Sequence, residues 1–371
     1  MKVVNVAIIG QGRSGRDIHG QYLLKDPEHY KVMAAADLIP ERRAMAAREY
    51  NCAVYKDYRE LFKRNDIDLV VNASLSHMHV PITLDILRAG LNVLCEKPLA
   101  SSVKDVDRLI AAAKKSKKVF AIFQQARFAP YFVKVREIIE SGALGRIVQI
   151  SINFNGYARR WDWQTMQSFN GGSLMNTGPH PLDQALALFG KGMPEVRCFM
   201  DCANTWGNAE DHVKLILSGK GHPLIDIEIS SCCAYPSATY QIYGTRGGMK
   251  ASNANNAEWK FFKLNEAPRQ KLITAPLRNP DGSPAYCGET LNWHEGKWPA
   301  ESADGNKADK AGYSASTAAS VNMTAVFYGM LYKTLTTGAP LEITPEQVRR
   351  QIAVIEECRR QNPHIYRKRS R

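Results

Sequence analysis

Three stretches of this sequence hold residues whose types and spacing could do chemistry. The first is Gly10-Gln11-Gly12-Arg13-Ser14-Gly15, which directly follows the apolar run Val3 to Ile9. Glycines spaced in this way let a backbone turn close to a pyrophosphate, and the helix that follows aims its N-terminus at the negative charge. A second apolar run, Val32 to Ala36, ends in Asp37. That acid lies about twenty residues past the glycines, the interval at which a carboxylate reaches the ribose hydroxyls of NAD. An ordinary turn and a surface acid can share this spelling. The strand-like run before the glycines and the acid after them favour a dinucleotide site.

The second stretch is Glu96-Lys97-Pro98, just past the apolar run Asn92 to Cys95. A lysine at the carboxyl end of a parallel strand can hold a substrate hydroxyl and stabilise a developing alkoxide. The same two residues can equally form an ion pair on a loop. The third stretch runs from Gly171 to Asp183. On a helix, Asn176, His180 and Asp183 share one face, although Gly178, Pro179 and Pro181 disfavour a regular helix. A histidine there can serve as a general base, and a lone helical histidine is as readily structural. Tyr157, Arg159, Arg160, Trp161 and Trp163 fall between the last two stretches. Aromatic and cationic groups on such a loop can stack on a sugar and hydrogen-bond to it. His77-Met78-His79 has no third ligand in view, so no metal site is expected.

The elements that must position these residues read in two halves. From residue 3 to about 123, strand-like and helix-like segments alternate, as in a parallel sheet with crossover helices. The helices expected are Ser14 to Lys25, Glu41 to Tyr50, Val80 to Ala89 and Ser102 to Lys115. After a helix over Pro130 to Glu140, strands follow in series at Ile147 to Asn155, Val196 to Met200, Val213 to Leu217, Leu224 to Ser230 and Thr239 to Tyr243. This predicts an α+β domain with a largely antiparallel sheet. The domains expected are therefore 1–125 and 126–371. Residues 264–313 show no clear element and read as a wrapping or functional segment. Helices are expected over Ser316 to Thr336 and after Thr344-Pro345.

The totals restrict the class. The 371 residues suffice for two cores, and a hydrophobic content of 44% is ordinary for a globular chain. The formal charge of +13 suits anionic ligands. Part of it sits in Arg367, Lys368, Arg369 and Arg371, expected to be a solvated tail. No basic stripe interleaved with aromatics points to nucleic acid. The eight cysteines lack zinc-finger spacing and read as reduced thiols of a cytoplasmic protein. No secretory leader and no membrane span are expected.

Taken together, the residues resemble the glucose–fructose oxidoreductase / inositol dehydrogenase family (Gfo/Idh/MocA). The likeness is carried by the glycine turn, Asp37, Ser74 to His79, and Cys95-Glu96-Lys97-Pro98-Leu99. It continues through Arg127 with Pro130, Gly172 to Asp183, Gly244-Thr245-Arg246-Gly247 and the helix after Thr344-Pro345. It implies a Rossmann domain followed by an open mixed sheet that commonly makes homo-oligomers. It also implies NAD(P)-linked oxidation or reduction of a secondary hydroxyl of a sugar, glycoside or related compound, with C3 as one carbon so treated. NAD is favoured over NADP, because Asp37 would repel a 2′-phosphate. The resemblance puts Gly10, Gly12, Arg13, Ser14 and Gly15 on the pyrophosphate and Asp37 on the ribose. Ser74, His79, Glu96 and Gln125 fall on the nicotinamide side, with Lys97 and His180 on the reacting hydroxyl. Arg127, Tyr157, Arg159, Trp163 and Asn176 fall around the substrate. Asn176 stands where many members have Asp, and Asn cannot take a proton, so the base duty shifts to His180 or Lys97. Leu75 replaces a common Pro. An NAD-requiring glycosidase or lyase and a non-catalytic NAD-binding protein are the alternatives.

Overall fold

The computed structural model describes residues 2–299 and 317–366. The expected basic tail and the part of the element-poor stretch from residue 300 onward lie outside the described residues.

Six short apolar runs form the first sheet: β1 (Val4–Ile9), β2 (Tyr30–Ala36), β3 (Ala53–Tyr55), β4 (Leu69–Asn72), β5 (Asn92–Cys95) and β6 (Phe120–Ile122). They pair in parallel in the order β3-β2-β1-β4-β5-β6. Helices cover both faces, so β4 and β6 are buried along their whole length. The strand order reverses between β1 and β4. In such sheets, ligands bind beyond the carboxyl ends at the point of this reversal. The helix after β1 starts at Arg13. Its first turns, to Gly20, are wound as a π-helix before an α-helical turn over Gln21–Lys25. Wide π turns favour functional sites.

The second sheet has eight strands: β7 (Ile147–Asn155), β8 (Glu195–Asp201), β9 (His212–Ser218), β10 (Leu224–Ser230), β11 (Tyr240–Gly244), β12 (Gly247–Ser252), β13 (Asn256–Phe261) and β14 (His294–Trp298). Their order is β14-β13-β12-β11-β7-β10-β9-β8, and every pair is antiparallel except β7 with β10. Strict alternation in β8 and β9 buries one face, which the helices Pro179–Phe189 and Pro345–Gln361 cover. The other face leaves Phe199 and Tyr243 exposed. Strands β12 to β14 extend the sheet beyond the expected five, and β14 lies inside the stretch read as lacking elements. These strands escape a search for apolar runs because β14, His-Glu-Gly-Lys-Trp, is an edge strand with two charged positions in five.

The two long C-terminal helices pack back onto the first domain. In Thr317–Thr337, the Tyr332 hydroxyl donates to the carbonyl of Lys2 and the carbonyl of Tyr328 accepts from the Tyr30 hydroxyl. In Pro345–Gln361, Arg349 pairs with Asp107 and Glu356 accepts from the amide of Val103.

Candidate active site

The glycine loop is shaped by close approach. Gly10 has φ +86, and a Cβ there would lie 2.4 Å from the carbonyl oxygen of Ala73. A Cβ on Gly15 would lie 1.8 Å from the carbonyl oxygen of Gly10. Both glycines therefore let the turn and helix sit against β1 and the end of β4. Gly12 differs. Its Cβ would meet nothing closer than the Arg42 guanidinium at 3.8 Å, so that face of the loop is open. Gly12 also starts the helix with no side-chain cap, which leaves first-turn N–H groups for an external anion. The Asp37 carboxylate folds over the loop, accepting from the Gln11 amide at 2.7 Å and the Ile39 amide at 2.8 Å. Arg42 stands 3.8 Å from it. Open loop, uncapped helix and strand-end acid together fit a dinucleotide.

Past β5, Glu96 is buried and Lys97 is partly exposed. The Lys97–Pro98 peptide is cis. Burial alone would push the Glu96 carboxyl up. Its hydrogen bond with His19 and the charges of His19 and Lys97 overcome this and hold it at about 2. The Lys97 ammonium donates to the main-chain carbonyl of Asn176 at 3.0 Å. Burial lowers its pKa, Glu96 opposes that shift, and the Arg13 guanidinium adds to it. The start of the glycine-loop helix and Lys97 therefore share one electrostatic site.

The segment expected as one helix is two, Ser173–Asn176 and Pro179–Phe189, because Gly178 and Pro179 interrupt it. Buried Glu210 fixes its start: the carboxylate accepts from the amide of Leu174 at 3.0 Å and lies where a Gly172 side chain would go. The break falls between Asn176 and His180, so the residues expected on one face are carried by two helices. The main chain of Asn176 lies against Lys97, and Asp183 takes the Arg127 guanidinium in a two-pronged pair, both bonds 2.6 Å. His180 is pushed down to about 3 by burial and by the Lys97 charge, against the opposing effect of Glu96. It is neutral at pH 7, and its buried Nδ1 has no partner among the described residues.

The remaining expected residues divide between the cleft and its supports. Ser74 ends β4, and its hydroxyl donates to Asn72. His79 is buried, with Nδ1 2.7 Å from the Pro98 carbonyl and Nε2 3.1 Å from the Ser74 carbonyl, so it ties two strand-end loops together. Gln125 begins the turn after β6, with a buried, unpartnered side-chain oxygen. Tyr157 is exposed, Arg159 lies over the Trp206 ring at 4.2 Å, and Trp163 packs on Phe169, which also touches His77. No group of three or more metal-ligating side chains occurs among the described residues.

Two site residues carried no sequence signal. Gln164 holds the Asn176 side chain, its amide nitrogen 3.0 Å from Asn176 Oδ1, and its oxygen accepts from Arg160. His19 is completely buried beneath Glu96. Only the fold brings these partners together.

Comparison with known proteins agrees with this architecture. Residues 4–124 match the oxidoreductase family with NAD-binding Rossmann fold, and residues 132–250 match the GFO/IDH/MocA C-terminal domain. An uncharacterized oxidoreductase of Schizosaccharomyces pombe is 31% identical over 195 residues, covering 51% of this chain and 53% of its own. A second from the same organism also matches over 53% of its length, so the chain spans about half of these curated relatives. The 2,7-anhydro-N-acetylneuraminate hydratase of Mediterraneibacter gnavus is 27% identical over 259 residues, 67% of each chain. The WlbA dehydrogenase from Bordetella pertussis, solved with NADH and UDP-GlcNAcA, has a TM-score of 0.76 over 98% of this chain and 96% of that one. At 19% identity, that likeness concerns the fold.

Proposed function

The chain belongs to the GFO/IDH/MocA family of oxidoreductases and begins with an NAD-binding Rossmann domain, and from that premise we propose that it oxidises or reduces a secondary hydroxyl of a pyranose sugar or glycoside, with C3 as the reacting carbon. One observation carries the proposal. The Lys97 ammonium, seated on the main chain of Asn176, lies close enough to His180 to help hold that histidine neutral beside the glycine loop.

Gly10, Gly12, Arg13, Ser14 and Gly15 would hold the cofactor's pyrophosphate and Asp37 its ribose. Ser74 and Gln125, with His79 and Glu96 behind them, would shape the nicotinamide end. Bound NAD supplies the hydride acceptor. Lys97 donates to the substrate oxygen and stabilises the charge that builds on it. His180 receives the hydroxyl proton at Nε2, the ring nitrogen that the protein does not enclose. Its low resting pKa keeps it unprotonated, and an alkoxide forming beside it raises its basicity when the proton moves. Asn176 orients a hydroxyl without competing for the proton. Tyr157, Arg159 and Trp163 would contact the rest of the sugar, and Arg127 would steady the wall of the pocket through Asp183. The anhydro-sugar acid in one relative's name and the nucleotide sugar bound in a structural neighbour support a sugar substrate. The open face of the second sheet is assigned to contact between copies of the chain. That no disulfide joins the eight cysteines supports a cytoplasmic location.

The hydratase among the relatives favours one second reading, in which transient oxidation prepares a neighbouring bond for cleavage. A panel of monosaccharides and glycosides, with absorbance of reduced cofactor and product analysis, separates the two. A keto-sugar retaining its aglycone supports the dehydrogenase, and a released aglycone supports the lyase. Lys97→Ala should lower turnover at least about 100-fold while retaining NAD binding. Unchanged turnover would refute the role of Lys97.

A further inference from the structure

Beneath Lys97 lies a fully buried polar chain that the chemistry above does not use. The main-chain N–H of Lys97 donates to Glu96 Oε2 at 2.9 Å. Glu96 Oε1 is 3.2 Å from His19 Nε2, and His19 Nδ1 is 2.7 Å from the Tyr328 hydroxyl. His19 is 0% exposed, Tyr328 0% and Glu96 4%. The chain joins three distant segments: the glycine-loop helix, the loop after β5 and the C-terminal helix Thr317–Thr337.

With His19 neutral, one arrangement of protons satisfies every member. Glu96 is ionised and can only accept. His19 must therefore carry its proton on Nε2, which leaves Nδ1 to accept from the Tyr328 hydroxyl. Tyr328 is pushed well above the usual phenol range, mainly by burial, and so remains a donor. The other tautomer would set a ring lone pair against a buried carboxylate and strand the Tyr328 proton, each an uncompensated buried polar contact. Glu96 and the Tyr328 hydroxyl thus favour the same tautomer, and its Nε2–H helps keep Glu96 charged.

We propose that His19, set by Tyr328, is a positioning residue that fixes Glu96 as the permanent counter-charge of Lys97 and so maintains the protonated lysine that holds the substrate oxygen. This rests on the role given to Lys97 above. The groups acting on Lys97 are Glu96 from its own loop and Arg13 from the glycine-loop helix, and Lys97 in turn acts on His180 from Pro179–Phe189. Cys95, His79 and Tyr328 are the other titratable neighbours of Glu96. Among these, Glu96 is the anion. Arg13 disfavours charge on the lysine, so loss of ionised Glu96 would leave Lys97 opposed by both burial and Arg13.

The test uses the full-length protein without ligand, so it does not depend on the substrate. Lys97 is followed by carbon-13 reductive methylation and NMR titration, and His19 by long-range proton–nitrogen correlation of its ring. The signals are identified with Lys97→Arg and His19→Gln. Wild type should show His19 as the Nε2–H tautomer. In His19→Leu, the Lys97 pKa should fall by about one unit or more, whereas His19→Gln, which retains a donor toward Glu96, should recover at least half of that fall. Tyr328→Phe removes one oxygen and leaves His19 Nδ1 without its donor, which should loosen the ring from Glu96 and lower the Lys97 pKa, and this variant carries the test if His19→Leu does not fold. An unmoved Lys97 titration in folded His19→Leu or Tyr328→Phe, or an Nδ1–H tautomer in wild type, overturns the proposal. Failure of every sugar to react, with these titrations as expected, would overturn the substrate assignment and leave the positioning role standing.

Discussion

Gly12 and Gly15 are both motif glycines, yet alanine should affect them in opposite ways. At Gly12 an added methyl projects into open space, 3.8 Å from the Arg42 guanidinium, with ordinary negative φ of −79. Folding should change by no more than about 1 kcal/mol, the scale of a helix-cap substitution. The methyl would occupy the face left for a pyrophosphate, forcing the anion off the helix N-terminus. Loss of even one or two charge-assisted hydrogen bonds, about 1.5–3 kcal/mol each, weakens NAD binding by about 10- to 100-fold or more. At Gly15 the methyl would lie 1.8 Å from a main-chain oxygen, which no rotamer change can relieve. The loop must move off β1, at a cost of about 3 kcal/mol or more. Thermal melting and calorimetric titration with NAD separate these effects. Gly12→Ala should melt within a few degrees of wild type and lose affinity, whereas Gly15→Ala should lose stability. A folded Gly12→Ala that binds NAD as tightly as wild type would refute the loop as the pyrophosphate cradle.

Three further outcomes follow from the same geometry. Asp37→Ser removes the charge opposing a 2′-phosphate and releases Arg42, 3.8 Å away. Competitive titration should then show the NAD-over-NADP preference shrinking at least about tenfold, and an unchanged ratio would contradict the assignment of Asp37. Asn176→Asp adds a carboxylate where the Lys97 ammonium already rests on the residue's main chain. That anion favours protonated Lys97 and His180, so the acid limb of the rate profile should move to higher pH, and a shift to lower pH would count against a base at His180. Glu96 is held at about 2, below the 4.5 of a free carboxyl. Its stabilising effect, about 3 kcal/mol at most, is present above the unfolded value and disappears as pH falls from about 4.5 to about 2. Denaturant melts across that range should show an acid loss that Glu96→Gln flattens.

Much of this was legible because the signals are local. Apolar runs buried on both faces, glycines with backbone against their α-carbons and an acid ending β2 are each written within a few residues. The first sheet and the glycine loop follow directly from them. Helix placement was similarly readable from caps, as where Ser102 receives the amide of Asp105 and Thr344 that of Gln347. What was not legible depends on distance in the chain. His19 reads as one polar residue on a helix until Glu96 and Tyr328 close over it. Gln164 has no motif, and its role appears only when its loop meets Asn176. The break at Gly178-Pro179, which those residue types already disfavoured as helix, puts Asn176 on a separate short helix from His180 and Asp183. Strands β12 to β14 were overlooked because sheet pairing, more than apolar content, holds an edge in place.

The central claim is that Lys97 and His180 work on a sugar hydroxyl beside bound NAD. The most direct measurement uses a pyranoside carrying deuterium on C3, incubated with the purified protein and NAD, with cofactor and sugar analysed by mass spectrometry. The account predicts deuterium in the reduced cofactor, a 3-keto product that keeps its aglycone, and loss of both in Lys97→Ala. Reduction of the cofactor by the same pyranoside with all of the deuterium still on the sugar, or transfer that persists unchanged in Lys97→Ala, would contradict it.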